Sequence, residues 1–363
     1  METIAAFIDW LGEDRGLALG GLLIGAVFGF FAQRSRFCLR AAVVEVARAQ
    51  LGPKLAVWLL AFSAAIILTQ SLLLAGEFDT ANVRQLASQG SVSGAAIGGL
   101  LFGIGMVLAR GCSSRLLVLA ANGNLRALLS GLIFAVTAQA SMSGVLSPWR
   151  EALAGLWTIE GGSARDLLAL TGLGRASGVL FGFAWLAAGI WVARRRQVPA
   201  WGWIGGIGAG LMVGVAWWFT WRMAGLLFEP TPVQSLSFTG PSADVLMRVL
   251  SPPGQPLNFD LGMVPGVFLG SFIAAWFARE LKLEGFEGGH SMRRYIVGAV
   301  LMGFGGMLAG GCAVGAGVSG AAVFALTAWV TLSAMWIGAA LTDWLVDRQG
   351  AASLRNLAAP SAP

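Results

Sequence analysis

Between Tyr295 and Thr342 the chain carries no Asp, Glu, Lys or Arg, an uncharged run of 48 residues. A membrane-crossing helix takes about 20 apolar residues, so the run predicts two crossings and a shorter segment between them. Non-helical backbone at that depth survives only where protein or a watery cavity satisfies its N–H and C=O groups. The run therefore calls for a helical membrane protein with an enclosed, broken turn. Composition agrees, with 56% of the 363 residues hydrophobic and 12% charged, against about 25% charged in a soluble domain. The net charge of +6 comes from basic residues in short loops. It orients the chain in a lipid bilayer and argues for no nucleic-acid partner.

Nine stretches long enough to cross fall at about 17–33, 55–76, 93–109, 126–146, 176–193, 200–219, 261–278, 293–309 and 321–345. They predict an all-α polytopic membrane protein, a single transmembrane domain over residues 1–363, with short re-entrant helices besides the crossings. Helix-like pieces follow at Ala41–Gln50 and Ser113–Ala121, while Ala313–Gly320 is too short and Gly-rich to span. Long loops at 147–175 and 222–260, the second rich in Pro, are expected to frame a site. The acidic N-terminus (Glu2, Asp9, Glu13, Asp14) reads as no cleavable signal. Trp217, Trp218 and Trp221 read as interface anchors.

One stretch occurs twice. Residues 101–112 align without a gap on 301–312, and seven of the twelve positions are identical, ending in Gly111-Cys112 and Gly311-Cys312. Only three cysteines exist, so two at equivalent ends point to a working site, with the two turns expected to meet near mid-membrane. A shift of 185 residues brings Gly20, Gly21, Gly25 and Gly29 onto Gly205, Gly206, Gly210 and Gly214, and Cys38 onto Met223. Spans one to four then pair with spans six to nine, the fifth (176–193) connecting them. An offset of five spans turns one half upside down, giving two inverted repeats at about 17–146 and 200–345. Lys and Arg divide 17 to 7 between the two sides, which places the N-terminus outside and the C-terminus in the cytoplasm.

Short helices starting just after Gly-Cys turns would aim N–H groups and positive dipole ends into the path, which suits an anion. Arg36 and Arg40 flank Cys38, and Arg110 and Arg115 flank Cys112. Each Arg serves either to attract the substrate or to snorkel toward the interface. A neutral thiol offers a weak donor on a polarizable sulfur. The candidate path is thus Cys38, Cys112 and Cys312, with Gly111, Gly311, Arg36, Arg110 and Arg115 beside them. One histidine, His290 in a polar loop, leaves little for acid–base catalysis, and no metal, nucleotide or dinucleotide pattern appears. The expectation is a transporter, not an enzyme, without cofactor or metal. Two other chemistries stay open for the thiols. One is a membrane sulfurtransferase that passes sulfane sulfur through a cysteine persulfide to a separate cytoplasmic sulfur-carrier protein. The other is thiol–disulfide exchange, which wants a close cysteine pair.

The contexts Ser35-Arg-Phe-Cys38, Arg110-Gly-Cys112 with Gly123-Asn-Leu-Arg126, and Gly310-Gly-Cys312 resemble the YeeE/YedE family of membrane proteins. The resemblance covers essentially the whole chain. It departs at Ser113-Ser114-Arg115, where relatives carry small residues. It implies a bacterial inner-membrane protein of inverted repeats with re-entrant helices, and thiosulfate handed along by the three thiols.

Overall fold

The computed structural model describes residues 12–227, 231–252, 254–286 and 288–348. Glu2, Asp9, the surroundings of the His290 side chain and the C-terminal tail lie outside the described residues. The crossings are α1 (Glu13–Ser35), α3 (Pro53–Leu74), α4 (Val92–Leu108), α6 (Leu125–Ser143), α8 (Arg175–Arg195), α9 (Ala200–Ala224), α11 (Phe259–Phe277), α12 (Gly288–Leu308) and α13 (Leu326–Thr342). Eight of them are long and apolar enough to cross a membrane, and α12 supplies 21 residues at the remaining predicted position. Between them lie shorter helices, α2 (Leu39–Ala47), α5 (Ser113–Ala121), α7 (Ser147–Ala154) and α10 (Thr239–Leu250). A two-stranded sheet of two residues each, Gly90–Ser91 with Thr158–Ile159, is the one sheet among the described residues, beside isolated bridges such as Val83 with Val233.

Lipid tails are as apolar as the helices, so association depends on close packing through small residues. A Cβ built on Gly21, Gly25 or Gly29 of α1 would lie 2.2–2.3 Å from carbonyl oxygens of α11. Gly262, Gly266 and Gly270 of α11 press back on Ala18, Leu22 and Ala26. The registers rise together, so α1 and α11 run parallel. Gly206 and Gly210 of α9 meet the carbonyls of Val57 and Ala61 on α3 in the same parallel sense. In the middle α4 crosses α12 antiparallel. Gly98 meets Ala309 and Gly305, while Gly298 meets Ala109 and Gly105.

That crossing fixes where the Gly-Cys turns go. The ends of α4 and α12 sit at opposite ends of the contact, separated along it by about 16 Å over residues 98–109. Cys112 and Cys312 therefore do not meet each other, contrary to the sequence expectation. Cys112 meets Cys38.

The loop at 222–260 carries a non-helical segment through 233–238 and then α10, which packs on α6, α11 and α12. Trp217 also departs from its expected interface role. It is fully buried, and its indole N–H donates to the Ser319 carbonyl at 3.2 Å.

Candidate functional site

Three helices end the same way. Arg36 (φ 54°), Arg110 (φ 56°) and Gly310 (φ 77°) adopt the left-handed conformation just past α1, α4 and α12. The next N–H closes back five residues, Phe37 to Ala32 at 3.1 Å, Gly111 to Met106 at 3.0 Å and Gly311 to Gly306 at 2.9 Å. This is the Schellman closure that satisfies orphan carbonyls at a helix end. For a non-glycine residue the left-handed region costs about 1–2 kcal/mol, so two arginines there are held by their surroundings.

One residue beyond each closure stands a cysteine. Cys38 and Cys112 are the extended N-cap residues of α2 and α5, and neither closes a side-chain capping bond. Four N–H groups at each helix start have no intrahelical partner, so each thiol lies at the donor-rich end of a helix. The sulfurs of Cys38 and Cys112 are 3.9 Å apart, and Cys112 Sγ lies 3.5 Å from Ser114 Oγ. Cys312 opens a tighter turn. Its sulfur accepts from the Gly315 N–H at 3.3 Å, and a π-helical turn follows at Gly315–Gly320. All three cysteines are free and buried. Phe28 links the two regions, with its ring 6.3 Å from Phe37 and 5.8 Å from Phe238.

The arginines divide. Arg115, half-buried in the first turn of α5 three residues beyond Cys112, donates to Gln33 Oε1 at 3.4 Å. Gln33 in turn donates to Glu280 at 2.7 Å. Arg36 points away, with 61% of its side chain exposed and Glu280 3.5 Å distant. Arg110 is exposed, its guanidinium 5.9 Å from the Tyr295 ring centre. The left-handed position at a helix end directs its side chain outward, whereas the first turn of α5 faces inward. Gly111 and Gly311 are buried against Leu116 and Ala316, so a side chain at Gly311 would strike the Ala316 backbone N at 2.8 Å.

A cavity of about 360 Å³ opens at the Cys312 turn, reached by Gly310 and Gly311. Ser237, Thr239, Arg84 and Arg165 line it, with Asp244 and Asp260. None of these was singled out in the sequence beyond the Pro-rich loop expected to frame a site. Asp260 was legible in principle as a carboxylate at the edge of an apolar span. Arg165 is anchored, donating to the Ser88 carbonyl and to Thr327 Oγ1 at 2.8 Å. On the far side, α2 carries an ionic cluster. Buried Asp343 takes a bidentate bond from Arg48 at 3.0 and 2.7 Å, and Asp347 pairs with Arg40 and Arg294.

Residues 34–341 match the family described as Sulphur transport. The chain is similar to the thiosulfate transporter TsuA of Escherichia coli strain K12, 26% identical over 347 residues, which span 91% of this chain and 95% of that protein. It is similar to the TsuA of Spirochaeta thermophila, 28% identical over 343 residues, 91% of this chain and 99% of that one. A shorter match joins it to the probable transporter YedE of Escherichia coli strain K12, 34% identical over 100 residues, 26% and 25% of the two chains. With the three cysteine turns and the apolar helices that carry them, the match over most of its length makes this chain a member of the sulphur transport, or YeeE/YedE, family.

Proposed function

We propose that the protein takes up thiosulfate across the bacterial inner membrane, along a path lined by Cys38, Cys112 and Cys312. The observation that carries the reading is the thiol pair at 3.9 Å, seated at two helix starts without side-chain caps, with Arg115 in the first turn of the helix that Cys112 opens. Helix N-termini and a guanidinium favour an anion, and polarizable sulfur suits a sulfur-containing one. The relatives named as thiosulfate transporters cover nearly the whole chain.

The two halves act in this reading as inverted repeats. What supports it is that the helix contacts exchange under the repeat: α1 with α11 mirrors α9 with α3, and α4 with α13 mirrors α12 with α6. Residues 98, 105 and 109 make the contacts of 298, 305 and 309 in reverse. The basic-residue asymmetry supports an outside N-terminus and a cytoplasmic C-terminus. The cavity at Cys312 then faces outward and the Cys38–Cys112 pair faces the cytoplasm.

A second reading rests on the same pair. Two thiols this close suit sulfur transfer or disulfide exchange, with a separate cytoplasmic carrier as acceptor. The deciding experiment measures labelled thiosulfate uptake into cells lacking other sulfur-anion importers, with sulfate and selenite as competitors. Cys112→Ala and Cys312→Ala should each lower uptake about tenfold or more, at least 1.4 kcal/mol of lost interaction along the path. Mass spectrometry of the thiols after turnover should find them unmodified. Added sulfur, or loss of two hydrogens across Cys38 and Cys112, would favour the transfer or exchange reading instead.

A further inference from the structure

A second cavity, of about 330 Å³, lies beside the one at the Cys312 turn. Arg84, Gln234, Asp244 and Asp260 line both, so these four residues form the wall between them. Asp260 stands in the first turn of α11, where a carboxylate commonly caps the helix. Asn258 already performs that task, accepting from the Leu261 N–H at 2.9 Å. Asp260 is instead 8% exposed, and its Oδ1 has no hydrogen-bond partner. The Gln234 side chain stands in the same wall. Thr239, 1% exposed, also lines the first cavity with an unpartnered Oγ1. Buried polar atoms are almost always satisfied, and each exception asks for a ligand or a function.

The charges facing Asp260 can be named element by element. Asp244 comes from α10, Arg84 from the single turn Arg84–Ala87, Glu13 and Asp14 from the start of α1 at the second cavity, and Arg150 of α7 and Arg165 of the turn Gly162–Arg165 from the first. Among the wall's own residues two carboxylates stand with one guanidinium. Burial pushes the Asp244 carboxyl above the ordinary range, against the pull of Arg84. The end of α12 reaches the first cavity through Gly310 and Gly311, and the negative end of a helix dipole favours a cation.

Uptake of a dianion into a negative-inside cell is opposed by roughly three orders of magnitude per 100 mV. Each monovalent cation travelling with it removes half of that opposition, and two remove it. We propose that Asp260 and Asp244, with the Thr239 hydroxyl, form a binding site for a co-transported monovalent cation, a sodium ion or a proton, at the junction of the two cavities. This rests on the uptake reading above, and it assigns the cavity at Cys312 to anion and cation together.

The test uses the full-length protein in sealed phosphatidylethanolamine–phosphatidylglycerol vesicles with the membrane potential clamped. Two rates are measured with labelled thiosulfate: exchange at equal concentrations on both sides, and net accumulation under an inward tenfold gradient of protons or of sodium. One of the two gradients should drive accumulation about tenfold per coupled cation, and which one does so distinguishes the proton from sodium. Asp260→Asn keeps the shape of the carboxyl without its charge. It should lower the ratio of accumulation to exchange about tenfold under that gradient, and Asp244→Asn should lower it less. Wild-type exchange without accumulation under either gradient overturns the proposal, as does an unchanged ratio in Asp260→Asn. If Asp260→Asn loses exchange altogether, the ratio in Asp244→Asn decides. Absence of exchange in the wild type refutes the uptake reading itself, and the cation site with it.

Discussion

Gly98→Ala and Gly298→Ala make a matched pair of perturbations at the crossing of α4 and α12. The new methyl carbon would lie 2.5 Å from the backbone N of Ala309 in the first and 2.5 Å from that of Ala109 in the second. Ordinary contact begins near 3.4 Å, so the helices must part by about 0.9 Å, a tenth of a usual interaxial distance. The obstructing atoms are backbone, and no side chain can swing aside to make room. Overpacking a fitted interface costs about 1–3 kcal/mol, and the better helix propensity of Ala returns up to about 1 kcal/mol. Each variant should therefore lose about 1–2 kcal/mol, and the two losses should agree within about 0.5 kcal/mol. Function should suffer at different turns. Gly298→Ala displaces Ala109, three residues before Cys112, and Gly98→Ala displaces Ala309, three before Cys312. Reversible unfolding in detergent, followed by uptake assays on folded protein, measures both effects. A variant as stable as the wild type would refute the packing argument, and one large loss beside one small one would refute the matched halves.

Cys38→Ser keeps a hydroxyl donor and loses the soft sulfur, so it should retain more uptake than Cys38→Ala; wild-type uptake in both would reduce Cys38 to packing. Arg48→Ala leaves Asp343 as a fully buried carboxylate with Arg348 at 3.5 Å, and should cost about 3 kcal/mol in chemical unfolding. Adding Asp343→Asn to that variant should recover part of the loss, and failure to do so would remove the ion pair as the cause. A reporter fused after Pro363 should be active only in its cytoplasmic form, as the basic-residue split requires; periplasmic activity would reverse the side assigned to each cavity.

Much of this protein is local in origin. A run of about 20 apolar residues must close its own backbone hydrogen bonds in lipid, so each predicted span coincides with a helix, and even the short pieces after Cys38 and Cys112 lie within a few residues of their predicted places. The Gly-Cys ends were legible for the same reason, since a left-handed closure and the helix start after it involve neighbours in the chain. What meets what was not legible. Cys112 stands apart from Cys312 because α4 and α12 cross antiparallel, which follows from a register of backbone contacts between residues about 200 apart, and it meets Cys38 instead. Sliding the glycine pattern by 185 residues put Met223 opposite Cys38, yet α9 runs on through Met223 to Ala224. The helix that packs as α2 does is α10, behind the non-helical segment at Ser237 and Phe238. Trp217 read as a surface anchor and is buried on the Ser319 carbonyl. The wall of Arg84, Gln234, Asp244 and Asp260 draws on four separate segments. Sequence by itself determined the helices and their broken ends, because those depend on backbone satisfaction within a single segment. The tertiary structure alone decided the thiol pair and the acidic junction, because close packing in lipid is set between segments, by which small residues let two backbones touch.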